Sequence, residues 1–282
     1  MCIFGIYTNL KKDADLTFTK KVVRALESRG VEYYFDPKVA KAMGADNVCT
    51  GKKIDVIIVL GGDGTMLTAV RKYADQDTCF LGLNMGRLGF LLDTELINLN
   101  AAIDGIIDGK YRIEERIMLE ASVLDTHGKV RETLYGLNEA VVSQQKVLRI
   151  INVHVDVNGL PVDNWLCDGL IVSTPTGSTG YSLSAGGPVV FPTVDVLLIT
   201  PVCPHTLQSS NIVISGDDVV DIWVHSEREG EMLTLDGQSY VELAPDEHVR
   251  VKKAEHKAKF LRFTDKNFFS LLKEKLAEWV VK

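Results

Sequence analysis

The sequence predicts an α/β N-terminal domain with a mainly parallel sheet, followed by a β-rich, sandwich-like C-terminal domain. Two observations carry this. Short apolar runs alternate with helix-period stretches through the first hundred residues, the pattern of strands joined by right-handed helical crossovers. From about Arg116 the period falls to two and tight-turn dipeptides appear, the pattern of antiparallel sheets. The expected divisions are 1–116, 117–254 and a C-terminal segment, 255–282, packing back on the first domain.

The elements follow in order. Cys2 to Tyr7 reads as a strand. Asp15 to Arg29 reads as a helix, with Leu16, Val22, Val23 and Leu26 near helical spacing and Gly30 as its stop. Val31 to Phe35 and Asp55 to Leu60 are strands, and a helix runs from Met66 to Tyr73. Phe80 to Asn84 is a fourth strand, and Leu96 to Asp108 another helix. In the second half, Ile151 to Val157 alternates apolar and polar, and Asn158-Gly159 after it is a strong hairpin signal. Asp195 to Thr200, Asn211 to Ser215, Val219 to His225 and Glu231 to Leu235 are further strands, with turns at Gly216-Asp217 and Asp236-Gly237. Asn267 to Lys282 reads as a helix whose stripe of Leu271, Leu272, Leu276 and Val280 must dock, the N-terminal domain being the expected place.

Bulk properties exclude several classes. The chain has 282 residues, 46% of them hydrophobic, and a formal charge of −7. That charge opposes nonspecific nucleic-acid binding. Residues 248–282 hold ten Lys/Arg against four Asp/Glu, read as a solvated amphipathic tail. The five cysteines are scattered and never form a C-x-x-C pair, which fits free thiols in a reducing compartment. No stretch approaches the ~20 apolar residues of a spanning helix, and no leader pattern opens the chain. The expectation is a cytoplasmic protein with no nucleic-acid or membrane partner.

Three constellations carry chemistry. Gly61-Gly62-Asp63-Gly64-Thr65 follows the apolar run Val56 to Leu60 and opens a helix. Free N–H groups and a helix dipole then converge on one point, where phosphate binds. Asp63 would repel phosphate, so it suggests chemistry or metal binding. The alternative is a tight turn in which Asp63 caps the helix. Neither a dinucleotide G-x-G-x-x-G nor a Walker loop is present, since Leu67 takes the last glycine position and no Gly-Lys-Ser/Thr follows. The second constellation is Asp168-Gly169 with the run Thr174 to Pro188, dense in hydroxyls and glycines. Hydroxyls read base and ribose edges, and glycines let backbone approach a ligand; the alternative is an elaborate loop between sheets. The third is Asn138-Glu139, an amide for a base beside a carboxylate for sugar hydroxyls, whose default reading is an exposed turn. His205, in an apolar setting, reads as a core or interface histidine and His154 as a surface one.

In this order the constellations resemble the NAD kinase family over nearly the whole chain. The resemblance includes Asn84-Met85-Gly86-Arg87-Leu88-Gly89-Phe90-Leu91, Thr200-Pro201-Val202-Cys203-Pro204-His205 and Leu235-Asp236-Gly237. The first motif is shared with diacylglycerol, sphingosine and phosphofructo-kinases; the Thr-Pro-Thr-Gly-Ser-Thr run is more specific. The resemblance implies transfer of the terminal phosphoryl group of ATP, or of polyphosphate in some members, to the 2′-hydroxyl of the adenosine ribose of NAD. It implies Mg²⁺ or another divalent ion with the ATP, and a homodimer or homotetramer. No His/Cys/Asp cluster has metal-ligand spacing, so no protein metal site is expected.

The resemblance also implies roles. Asp63 becomes the general base, acting mainly by aligning the hydroxyl and taking its proton late, because phosphoryl transfer asks little early proton removal. Gly62, Gly64 and Thr65 present N–H groups to phosphate. Asn138 and Glu139 grip the adenosine half. Thr179, Gly180, Tyr181, Ser182 and Ser184 line the adenine pocket, with Leu183 also a substrate-binding position. Asp168 sits towards the nicotinamide, and Arg149 and Gln238 occupy matching positions. Carboxylates near the 2′-hydroxyl would oppose the new 2′-phosphate and so favour product release. Two family arginines are missing: Leu166 and Asn211 stand there, which bears on affinity and donor preference. The competing activities are a lipid kinase, which needs an apolar slot where this run is polar, and a non-catalytic NAD(P) sensor, which needs no Asp63.

Overall fold

The computed structural model describes residues 2–86, 89–92, 94–144, 150–205, 210–225, 230–263 and 268–280. The chain divides into two units, residues 1–115 with 258–282, and residues 116–257.

The first unit begins with β1 (Phe4–Thr8), α1 (Thr17–Glu27), β2 (Tyr33–Phe35), α2 (Pro37–Met43), β3 (Val56–Gly61) and α3 (Asp63–Tyr73). It continues with β4 (Cys79–Asn84), β5 (Thr94–Glu95), α4 (Leu99–Ile107) and β6 (Arg112–Arg116). Helix α1 starts two residues later than its periodicity suggests. The fully buried Asp13 supplies the reason: its carboxylate accepts from Phe18 N at 3.0 Å and from Thr19 N at 2.8 Å, satisfying the first orphan donors of the helix. Helix α2 escapes the sequence reading because seven residues show too little periodicity. Its punctuation is nevertheless complete: Asp36 caps Lys38 N at 2.9 Å, Pro37 opens the helix and Gly44 closes it in the left-handed region.

The second unit holds β7 (Leu119–Leu124), β8 (Val130–Gly136), β9 (Glu139–Gln144), β10 (Ile151–Val157), β11 (Leu160–Cys167) and β12 (Gly169–Ser173). After them come α5 (Tyr181–Ser184), β13 (Val196–Val202), β14 (Ile212–Ser215), β15 (Val220–His225), β16 (Glu231–Leu235), β17 (Ser239–Glu242) and β18 (His248–Lys253). The chain then returns to the first unit with β19 (Ala258–Arg262) and α6 (Phe268–Val280).

Among the described residues, the first sheet runs β2-β1-β3-β4-β19-β6, with β5 beside β4. Strands β2, β1, β3, β4 and β19 pair in parallel. β3 is buried at every residue, as a parallel strand covered on both faces must be. The register sets Thr8 beside Leu60 and Gly61 beside Asn84, so three strands end at one edge. Ligands of open α/β sheets bind at such an edge. The second unit has two antiparallel sheets, β11-β10-β15-β18-β7-β8 and β14-β13-β12-β9-β16-β17. Their inner faces share one core that includes Leu119, Val153, Trp165, Leu170 and Leu233. The Asn158-Gly159 turn has φ of 54° and 75°, the left-handed pair a two-residue hairpin needs.

Helix α6 belongs to the first unit, where Phe268 packs against Phe90 with ring centroids 6.3 Å apart. Leu271 and Leu272 are half-buried; the side chains of Leu276 and Val280 lie outside the described residues. Many second-unit strands, among them β7, β8, β9, β11, β12 and β18, are absent from the sequence reading. In β11 the reason is a mixed face, where Trp165 is buried while Val162 and Leu166 are exposed, and β12 is too short and too uniformly buried to alternate.

Replacing Asp13 by Ala is expected to cost about 2 kcal/mol, since two helix donors lose their partner. The check is a lower urea midpoint at unchanged slope.

Candidate active site

The turn after β3 is built from short contacts. Helix α3 begins at Asp63, three residues before its apolar pattern starts, because Gly62 acts as N-cap. Thr65 N donates to Gly62 O at 2.9 Å, and Asn9 Nδ2 donates to Thr65 Oγ1 at 3.1 Å. The Thr65 N–H, expected to face phosphate, therefore serves the turn. Asn9 also accepts from Lys11 N and Lys12 N through its Oδ1. The Lys12 ammonium lies 3.4 Å from where a side chain on Gly62 would begin. A cation thus stands beside the glycine turn, a feature with no motif to reveal it in the sequence.

Asp63 does not cap its helix. Its Oδ2 accepts from Phe90 N at 2.8 Å and its Oδ1 from Leu91 N at 3.1 Å. Gly89 is pressed so closely on this carboxylate that any side chain there would collide with it. The loop carrying these donors leaves β4 at Asn84, whose amide closes its own turn on Gly86, accepting from Gly86 N at 2.9 Å and donating to Gly86 O at 2.8 Å. Arg87 and Leu88 of that loop lie outside the described residues, as does Arg149.

In the second unit Asn138-Glu139 is not an exposed turn. Glu139 opens β9 and is 8% exposed. Three backbone N–H groups, of Leu137, Asn138 and Glu139, donate to the Asp236 carboxylate at 3.0, 2.7 and 3.3 Å. Asp236 is a buried residue with φ of 52°, at the turn that leads to the exposed Gln238. The sequence marks Asp236-Gly237 as a turn and as part of the family resemblance, with no role for the carboxylate; that it accepts from a neighbouring strand is visible only in the fold. On the other side, Thr174 Oγ1 donates to Leu137 O at 2.6 Å, and Thr174 N to Asn138 O at 2.9 Å. Gly177 is required here, since a Cβ would sit 2.6 Å from the Asn138 carbonyl carbon.

Glu139 Oε2 is buried without a hydrogen-bond partner, as are Ser173 Oγ and Thr176 Oγ1. Ser173 is the cross-strand neighbour of Glu139. A Cβ on Gly180 would stand 3.2 Å from Glu139 Oε2 and 3.9 Å from Asn138 Nδ2. Burial, helped by the nearby Asp236 carboxylate, pushes the Glu139 carboxyl up to about 8. In the free protein it therefore holds its proton at neutral pH. The repulsion of a 2′-phosphate expected from Glu139 exists only once that proton has left.

The hydroxyl-rich run is partly structural. Ser178 Oγ donates to Pro175 O and accepts from Val190 N, and the buried Ser182 pairs with Thr200 at 3.2 Å. Tyr181 and Ser184 are exposed, and Thr179, Gly180 and Leu183 half-buried. Partial burial raises the Tyr181 phenol, helped by the nearby exposed Cys203 and Asp168. Leu166 is exposed, and Asn211 donates to Gly186 O at 2.6 Å, tying down the end of the run. His205 is exposed rather than buried; His154 is half-buried, paired with Asp156 at 3.0 Å. Among the described residues no group of three or more His, Cys, Asp or Glu is placed to hold a metal ion.

Residues 4–111 match the model of the ATP-NAD kinase N-terminal domain, and residues 137–263 that of the ATP-NAD kinase C-terminal domain. This chain belongs to the NAD kinase family. It is 41% identical over 281 residues to an NAD kinase of Thermoanaerobacter sp. (strain X514), covering 97% of this chain and 98% of the relative. An NAD kinase of Natranaerobius thermophilus is 36% identical over 277 residues, 96% of each chain. Among solved structures, the NAD kinase of Archaeoglobus fulgidus in complex with ATP superposes with a TM-score of 0.76 at 26% identity, over 98% of this chain and 99% of that one. Yeast NADH kinase complexed with NADH shares the fold, with a TM-score of 0.88 at 22% identity, over 98% and 88%. As an NAD kinase family member the chain phosphorylates NAD to NADP using ATP, a transfer to an alcohol group.

Glu139 makes stability depend on pH in a definite sense. A carboxyl raised from 4.5 to about 8 contributes stability in full below 4.5, and the contribution fades as pH rises towards 8. Glu139→Gln removes the burial of charge. The variant's melting temperature, relative to the parent, should rise by on the order of 5 °C between pH 5 and pH 9, measured by calorimetry.

Proposed function

We propose that Asp63 is the general base that aligns the 2′-hydroxyl of the adenosine ribose for attack on the γ-phosphorus of ATP and takes its proton. The observation that carries this is the placing of a carboxylate at the first turn of α3, beyond the ends of β1, β3 and β4, with both oxygens held in one orientation. A fixed carboxylate aligns a hydroxyl before the reaction rather than during it. The bond from the 2′-oxygen to the γ-phosphorus forms, the bond from that phosphorus to the β–γ bridging oxygen breaks, ADP leaves, and the hydroxyl proton passes late to Asp63. The N–H groups of Gly62 and Gly64 and the Lys12 ammonium supply positive potential for the donor phosphates.

Asn138 and Glu139 take the adenosine half, with Thr179, Gly180, Tyr181, Ser182, Leu183 and Ser184 around the base, Asp168 towards the nicotinamide, and Arg149 and Gln238 as further contacts. Support for the first pair comes from the two buried anchors behind it, Asp236 and Thr174, and from the Glu139 oxygen without a partner. A sugar hydroxyl is the kind of group that atom lacks. Mg²⁺ would neutralise charge on the triphosphate. It would enter with the nucleotide, as phosphoryl-transfer metals do when they bridge the donor phosphates. The five thiols are free, which supports a cytoplasmic setting. Family membership supports a homodimer or homotetramer, and polyphosphate remains a second donor to assay.

In a coupled assay for NADP formation with ATP, Mg²⁺ and NAD, Asp63→Asn should keep the fold and lose at least ~100-fold in kcat. Near-normal turnover would remove Asp63 from the reaction. NAD binding supplies a second check: if ribose hydroxyls donate to Glu139, calorimetry should show proton release on binding at pH 7, and affinity should rise with pH up to about 8.

A further inference from the structure

Asp63 is oriented by a loop, and the loop is itself held from behind. Leu91, whose N–H meets Asp63 Oδ1, is 2% exposed. The carbonyl of the same residue accepts from an Arg262 guanidinium nitrogen at 3.2 Å. Arg262 lies at the end of β19 and is 6% exposed. Its Nε and another guanidinium nitrogen both donate to Glu114 Oε1, at 3.2 and 3.0 Å. The guanidinium also lies 5.3 Å from the centre of the Phe260 ring. Glu114 sits on β6, the strand next to β19 in the sheet.

We propose that the Arg262–Glu114 pair is a positioning device for the transfer, fixing Asp63 through Leu91. The physical case rests on the planar fork. A guanidinium that points one arm at a backbone carbonyl and two at a carboxylate has little freedom left. Leu91 is then pinned at its carbonyl, and its N–H and that of Phe90 become fixed donors. A carboxylate that accepts from two fixed donors keeps one orientation, and a displacement of about 1 Å at a reacting group costs up to ~100-fold in rate. Gly89 adds the steric half of the device, because the loop approaches Asp63 too closely for any side chain. Arg262 comes from the segment that returns to the first unit after the β domain. The last strand of the chain thereby reaches the residue proposed for catalysis 199 positions earlier (262 − 63).

The inference rests on Asp63 taking part in the reaction, and the experiment separates the two. Arg262→Lys keeps the charge but loses the fork. Its kcat should fall about tenfold, while the NAD dissociation constant, measured by calorimetry on the same folded sample, changes less than twofold. Glu114→Gln, a milder change that leaves the arginine in place, should show the same pattern at a few-fold. The deciding measurement is a double-mutant cycle. In an Asp63→Asn background, Arg262→Lys and Glu114→Gln should cost nothing further if they act through Asp63. Losses that multiply in that background, or full activity in both single variants, would overturn the positioning role and leave Asp63 untouched. Full activity of Asp63→Asn would instead overturn the reading on which it stands.

Discussion

A carboxylate at the mouth of a helix that attracts anions has to be held, because nothing in its own turn holds it. Asp63 sits in the first turn of α3 yet accepts hydrogen bonds from Phe90 and Leu91, 27 and 28 residues away. The rest of the first unit can be traced from that constraint. The loop must pass close, so Gly89 has no side chain. The loop must leave β4 beside the end of β3, and the parallel register of Gly61 with Asn84 delivers it there. The glycine turn, Asn9 and Thr65 shape one side of the acid, while the loop holds it from the other.

The second unit solves a related problem with the opposite sign. Here the acid of interest, Glu139, is buried and left without a partner on one oxygen. A second carboxylate, Asp236, lies close by, but it is stabilised by three backbone donors. The contrast is physical. Asp236 has its lone pairs filled and anchors the strand entry, while Glu139 keeps its proton because burial is uncompensated. An unsatisfied buried acid is costly to stability, and such sites persist where a ligand completes them.

Much of this was legible in consecutive residues. The apolar run before Gly61 marked β3, the Asn158-Gly159 pair marked a hairpin, and the order of the three constellations pointed to the NAD kinase family. Less was legible where signals are short or mixed. Helix α2 spans seven residues, too few for periodicity to speak. Strands such as β11 carry exposed leucine beside buried tryptophan, so alternation is blurred. The residue types of the hydroxyl-rich run point to a ligand surface; the fold adds that Thr174, Ser178 and Ser182 also bond to the protein's own backbone and neighbours. Residue type shows that a group can donate; it does not show to whom.

By itself the sequence determined the domain classes and the glycine turn with its acid, and, through its resemblance to the NAD kinase family, the reaction class. These are local properties, set by backbone freedom at glycine, by helix polarity and by motifs of adjacent residues. The tertiary structure alone decided that Asp63 is fixed by a distant loop, that burial raises the Glu139 carboxyl, that Asp236 stands behind Asn138-Glu139, and that Lys12 and Arg262 stand beside the glycine turn and behind its loop. The contacts of Asp236 span 97 to 99 residues and that of Arg262 to Leu91 spans 171. Hydrogen bonds and burial act over a few ångströms of space, and only the folded chain says which residues share that space.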